Sequence, residues 1–390
     1  MPLDLASHFS RFRGADPDRL HFAAHSHHYW PDVTFGAQQQ AWQDAARHAD
    51  RKWAPLFETV VPSVKNHLAR LLCLSDPSSL VFASNTHELL VRLLSCLPTD
   101  RPPRILTSDG EFHSFTRQTK RLAEENLIEL RELPVDSIVD LEDRLADAVK
   151  GFGPDMVYLS HVFFNSGRAL PSLSAIVNAV PSKEAFLVID GYHAFMARPV
   201  DLAPVEDRLF YIAGGYKYTM AGEGACFMHC PPGYGPRPRN TGWYAAFGSL
   251  DQAQSGVPYA KDGWRFMGAT FDPTALYRLN AVLGWLAEQG LTPGDIHRHA
   301  TELQELFMAG LSALNHPVLA ADRLVVPLTD QNRGNFLTFE SEDAAATQDR
   351  LGEANIITDV RGTRLRVGFG IYQTKDDVDR LLNRLSGLPT

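Results

Sequence analysis

The chain has 390 residues, of which 44% are hydrophobic and 21% charged, with a formal net charge of -9. This is an ordinary globular composition for two or three domains, and its dispersed charges argue against a nucleic-acid or anionic-membrane partner, which would want a clustered basic face. Cys73, Cys96, Cys226 and Cys230 are too few for a disulfide scaffold, no apolar run nears the ~20 residues of a membrane helix, and "MPLDLASHFSRFRGAD" lacks a signal peptide's apolar stretch, so a cytoplasmic location is expected.

The first unusual stretch is "AAHSHHYWPD", which sets His25, His27 and His28 beside Tyr29 and Trp30. Histidine is the commonest metal ligand, but no carboxylate or further ligand accompanies these three to complete a site. A pocket wall and a structural loop stand as alternatives to a metal, and no metal is expected.

From about residue 60 to 230, apolar runs of strand length alternate with amphipathic helical stretches. "SLVF" (79–82) leads into "NTHELLVRLLSCL", where Leu89, Leu90, Leu93, Leu94 and Leu97 share a helical face. Asn85 with Glu88 three residues on resembles a capping box. "RILTS", "DMVYLS", "AFLVID", "RLFYIAG" and "GACFMHC" follow as strands. This rhythm predicts an α/β domain with a largely parallel sheet covered by helices. Cys226 and Cys230 are read there as buried strand residues rather than a metal pair.

Residues 231–270 are rich in Gly, Pro and aromatics and read as loop. Asp272-Pro273 then opens a helix stopped by Gly290, with cap, early proline and terminal glycine in place. A helix over about 293–314, the strand "NFLTFE", a helix near 342–352, the strand "RLRVGFG" and a last helix begun by Thr374 indicate a smaller α+β C-terminal domain.

Ligands of open α/β sheets sit beyond the carboxyl ends of the strands. The first strand is followed by Ser84, Asn85 and Thr86 at a helix N-terminus, a natural phosphate seat. "AFLVID" ends in Asp190, and "RLFYIAG" runs into the glycine-rich "GGYKYTMAGEG" carrying Lys217. Pyridoxal 5'-phosphate needs this set: a lysine for a Schiff base, an acid against the pyridinium nitrogen and a phosphate cradle. Each piece alone is common; the order of all three in one α/β domain is informative.

On these residues the sequence resembles the fold-type-I pyridoxal-phosphate enzymes of the class V aminotransferase group, and within it kynureninase, over nearly the whole chain. The resemblance implies that Thr86 with Asn85 holds the phosphate in "LVFASNTHELL", and that Phe112, or else His113, stacks on the ring in "GEFHSF". "YLSHVFFNSGR" brings Ser160 to the cofactor. "IDGYHA" makes Asp190 the pyridinium partner and His193 a phosphate-side ligand. "GGYKY" makes Lys217 the Schiff-base lysine with Tyr216 on the phosphate, and "TGWYA" sets Trp243 nearby. "RLRVGFGIYQTKDD" gives Arg366 the substrate α-carboxylate, a task that suits a planar guanidinium. In "FMGATFDP", Thr270 is the residue expected to reach the neighbouring subunit's cofactor, since the resemblance implies a homodimer with sites at the interface.

Where kynureninases carry a G-N-S-L-G-type stretch, this chain has "AAHSHHYWP", keeping only Ser26. Ser26, His27 and His28 are therefore expected to contact substrate. The domains implied are an N-terminal segment at the active-site mouth (1–60), a large cofactor domain (61–268) and a small C-terminal domain (269–390). The resemblance leaves transamination and kynureninase-type Cβ–Cγ hydrolysis both open, and the bulky histidine segment favours the transaminase. Cysteine desulfurases of the group need a cysteine shortly before the carboxylate arginine; none follows Cys230 here. A dinucleotide-dependent oxidoreductase should show G-x-G-x-x-G after the first strand, which is absent, and a non-catalytic cofactor-binding protein would have little use for Lys217, Asp190 and Arg366 together.

Overall fold

The computed structural model describes residues 4–233, 235–249 and 256–388. Residues 1–3, 234, 250–255 and 389–390 lie outside it, and with them the part of the sequence expectations that falls on the first residues and within the 231–270 loop. The strands are β1 (Leu20–His21), β2 (Leu80–Ala83), β3 (Arg104–Ser108), β4 (Glu129–Leu133), β5 (Met156–Ser160), β6 (Phe186–Asp190), β7 (Leu209–Gly214), β8 (Cys226–His229), β9 (Phe336–Glu340), β10 (Ile356–Ile357), β11 (Asp359–Arg361) and β12 (Arg364–Gly368).

β5, β6 and β7 are buried along their whole length, as unbroken apolar runs covered by helices on both faces must be. They form the centre of a seven-stranded sheet in the order β2-β8-β7-β6-β5-β3-β4. All its neighbours pair parallel except β8, which runs antiparallel to both β2 and β7. This is the fold-type-I α/β architecture that the sequence resemblance implies.

The C-terminal unit is a three-stranded antiparallel sheet, β11-β12-β9, with its own core of Leu337, Phe339, Leu365, Val367 and Phe369 packed by Leu303, Phe307, Leu351, Val378 and Leu381. Its last helix, Lys375–Ser386, opens with the capping box Thr374/Asp377. The expected boundary at 268/269 differs from the packing. Helix Thr274–Glu288 sends Ala275, Leu276, Leu279, Val282 and Leu283 into the first core, because its apolar residues surround most of the helix rather than one stripe.

Nor is the stretch before residue 60 a unit of its own. β1 pairs parallel with β10, and Leu20 and Phe22 join the second core while Ala24 and Tyr29 join the first. The N-terminal segment thus stitches the two units together, which carries the histidine cluster between them. No helix among the described residues is long and apolar enough to cross a membrane.

Candidate active site

The cleft forms beyond the carboxyl ends of β2, β5, β6 and β7, with a volume of about 230 Å³. Its walls include Asn85, Thr86, Phe112, Ser160, Asp190, His193, Tyr216 and Lys217, so eight of the expected residues come together from separate segments.

Helix Thr86–Leu94 presents its N-terminus to the cleft. Asn85 caps it, its side-chain oxygen accepting from Glu88 N at 3.0 Å. The other N–H groups of the first turn have no partner within the helix, and with its dipole they suit an anion.

Lys217 is buried, and its Nζ lies 2.6 Å from His193 Nε2. Burial lowers the amine from its usual 10.5 to about 7, with Asp190 acting the other way. Burial also holds His193 well below its usual value, so the imidazole is neutral and its Nε2 accepts a proton shared by Lys217. The Nδ1 side of the same ring is buried with no partner. Around Nζ stand the rings of Tyr192, Phe112 and Tyr216, at 4.8, 5.2 and 5.7 Å.

Asp190 ends β6. Its carboxylate accepts from Tyr158 Oη at 2.8 Å and from Tyr192 N at 2.9 Å. Burial raises its pKa and those two bonds oppose the shift. A buried carboxylate whose shift is dominated by desolvation fits a cation, as a protonated pyridine would be. Phe112 lines the cleft, whereas His113 turns against Phe164 at 5.1 Å. An aldehyde-reactive amine, a carboxylate, a flat aromatic wall and a helix N-terminus thus fit pyridoxal phosphate.

Glu111 also belongs to the site, although no sequence pattern pointed to it. This buried carboxylate receives Ser108 Oγ (2.5 Å), Ser160 N (3.1 Å) and Ser160 Oγ (2.6 Å), and burial pushes it up to about 8. With Glu111 ionised, Ser160 spends its hydroxyl proton on it and offers the cleft an acceptor; with Glu111 protonated, Ser160 accepts from it and its own proton is free for the cleft. Tyr192, Phe164 and Cys226 also line the cleft unannounced. Burial raises the Cys226 thiol to about 11, so it is not a thiolate at neutral pH.

The three histidines diverge. His25 stacks on Phe336 at 4.6 Å, His27 on Tyr216 at 5.2 Å, and His28 stands edge-on to Tyr372 at 4.8 Å. His28 is buried, its Nδ1 2.7 Å from Tyr29 O, and so supports the core rather than the cleft wall. Ser26 and His27 remain at the surface beside Tyr216. No grouping of His, Cys, Asp and Glu among the described residues could hold a metal. The adjoining Trp30 ring presses on Gly222, where a Cβ would fall 2.4 Å from Trp30 Cζ2.

Other expected residues lie apart from the cleft walls. Trp243 Nε1 donates to Thr270 Oγ1 at 3.2 Å, and neither lines the cleft of this chain. Arg366 is buried behind Phe164 and engaged with Asp359 and the Phe164 carbonyl.

A family model described as aminotransferase class-V matches residues 38–381. An isopenicillin N epimerase of Streptomyces clavuligerus is 28% identical over 357 residues, 83% of each chain. A cysteine desulfurase of Pectobacterium atrosepticum is 20% identical over 348 residues, 83% of this chain and 81% of that one. Among solved structures, a complex of the cystine C-S lyase C-DES with cysteine persulfide matches with TM-score 0.80 at 19% identity, over 95% of this chain and 98% of that one. The cysteine desulfurase CsdA of Escherichia coli gives 0.75 at 19% identity, over 96% and 97%. The narrower likeness to kynureninase rests on the motifs alone.

Proposed function

The chain belongs to the class-V aminotransferase family, and from that premise we propose that it uses Lys217 to move the Cα proton of an amino acid, with transamination as the net reaction. The cofactor is pyridoxal 5'-phosphate, which when bound supplies an electron sink for the charge left at Cα.

The chain's own residues divide the remaining work. Lys217, lowered to about 7, carries a free lone pair at neutral pH and acts as the base at Cα. His193 accepts from its Nζ and so holds the direction of that lone pair. Asp190, fixed by Tyr158 and Tyr192 N, would keep a proton on the ring nitrogen of the bound cofactor. With the cofactor bound, Asn85 and Thr86 would seat its phosphate, Phe112 would stand against its ring, and Ser160 would hydrogen-bond it. Trp243 and Thr270, paired outside this chain's cleft, serve the site across a homodimer interface. Ser26 and His27 border the space for the substrate side chain, and Arg366 takes the α-carboxylate.

The observation that carries the reading is that Lys217 is the single lysine among the residues lining the cleft. One base suffices to take a proton from Cα and to give it up again on the same face, with no second acid required, which is what transamination asks. A second reading, epimerisation at Cα, is favoured by the 28% identical epimerase; it needs a proton donor on the opposite face as well.

The test is a panel of amino acids incubated with holoprotein in D2O. Exchange at Cα is expected for the substrate, together with keto-acid release that stops at one equivalent per site until an acceptor keto acid is added. Racemised product with no keto acid would establish epimerisation instead. Absence of Cα exchange across the panel would overturn the proposal.

A further inference from the structure

The face that the C-terminal sheet turns toward the cleft carries more charge than a lone substrate-binding arginine. Asp359, Arg366 and Thr338 stand directly opposite one another across β11, β12 and β9, so their side chains share that face. Arg366 is only 2% exposed. Its Nε donates to Asp359 Oδ1 at 2.9 Å, its Nη2 donates to the same oxygen, and its Nη1 donates to the Phe164 carbonyl at 2.5 Å. A substrate carboxylate arriving at this guanidinium finds another carboxylate already there.

Two further observations bear on that contact. Asp359 does not depend on Arg366 alone, because its Oδ2 lies 3.1 Å from Arg361 Nη2. On this face Thr338 Oγ1 and Arg361 Nε, and beside it both ring nitrogens of His25, are buried without a partner in the chain. The His25 ring reaches over Gly368, two residues along the same face from Arg366, where an added Cβ would fall 2.1 Å from its Nδ1. Buried polar groups are nearly always partnered, so these donors and acceptors suit a group that can hydrogen-bond beside Arg366.

We infer that Asp359 is a specificity-determining residue that competes with the substrate for Arg366: it holds the guanidinium until an incoming carboxylate displaces it onto Arg361. Displacement is feasible because Asp359 keeps Arg361 as a partner, and a buried carboxylate left with none would oppose it strongly. The charges also select the ligand. Two arginines against one internal carboxylate leave a single positive charge, which suits one carboxylate group; a second acid on the substrate near this face meets Asp359. The substrate class at this end of the site is therefore an amino acid with no second carboxylate close to the first. This rests on the reading of Arg366 as the seat of the substrate carboxylate.

Propionate and succinate, which lack an amino group and cannot react, are the probes. Their binding to holoprotein is read by saturation-transfer NMR and by the change in visible absorbance. Asp359→Asn should bind propionate about tenfold more tightly than wild type, a change on the scale of removing one close competing charge, and should gain more for succinate than for propionate. Asp359→Ser, with thermal unfolding measured alongside, is the second variant should the amide disturb the fold. Arg361→Ala, which removes the resting place of the displaced Asp359, should weaken propionate binding. Propionate binding that is lost in Arg366→Lys but unchanged or weaker in the Asp359 variants would overturn the inference and leave Arg366's role standing. Equal binding by wild type and Arg366→Lys would overturn the role of Arg366 itself.

Discussion

Replacing Glu111 with Gln should make stability less sensitive to pH, and the size follows from the burial of this carboxyl. Glu111 sits among Ser108, Ser160 and the backbone of Ser160, and burial raises it from its usual 4.5 to about 8. Between those values the folded state holds a proton that the unfolded state releases. Stability from this group is therefore greatest at acid pH and falls as pH rises toward 8. Integrating the two titrations, with about 1.4 kcal/mol per pKa unit, gives a loss of roughly 2–3 kcal/mol between about pH 5.5 and pH 7.5. Gln cannot ionise and keeps the shape, so most of this loss should vanish from the variant. Urea unfolding of the two apoproteins across that range measures it. A gap between wild type and Glu111→Gln that does not change with pH, or that changes in wild type's favour as pH rises, would refute the reasoning.

Asp190→Asn should slow Cα proton exchange by about a hundredfold or more, the scale of losing a buried electrostatic contact to developing charge, while equilibrium dialysis still shows cofactor retained. Reconstitution of apoprotein with pyridoxal phosphate should slow as pH falls below about 7, where Lys217 becomes protonated; stopped-flow absorbance with the rate unchanged from pH 8 to pH 6 would contradict the lowered amine. Gly368→Ala drives a methyl onto the buried His25 ring and should cost about 1–3 kcal/mol by overpacking; His25→Ala in the same chain should recover part of that in denaturant unfolding.

The central strands were legible because runs such as "FLVID" are apolar, short and β-branched, which parallel burial demands. The direction of β8 was not, since four residues between loops carry no mark of which way they run. β4 escaped notice because "ELREL" is half charged, as an edge strand beside only β3 can be. In the site, Lys217 and Asn85-Thr86 follow recognisable strands and Asp190 ends one, so chain order and the family motifs together pointed to one cleft. Glu111 stood in a stretch already singled out, yet its partners come from the ends of β3 and β5, and only the sheet brings these beside one another. The histidine run carried no information on facing: three rings so near in sequence went to Phe336, Tyr216 and Tyr372 because the segment crosses between two cores. Likewise, the pairing of Arg366 with Asp359 depends on the register of the β11–β12 hairpin, turned at Gly362 with φ +57°, rather than on either residue's type.

The proposed chemistry depends most on Lys217 being the residue that bonds the cofactor. Reducing the holoprotein with borohydride, digesting it and sequencing the peptides by mass spectrometry tests this directly. The expected result is one pyridoxyl-phosphate group per chain, on the peptide containing Tyr216-Lys217-Tyr218, with none in Lys217→Ala. A stable label on another lysine, such as the buried Lys65 whose amine is also lowered, to about 8, or no label on a yellow protein, would contradict it.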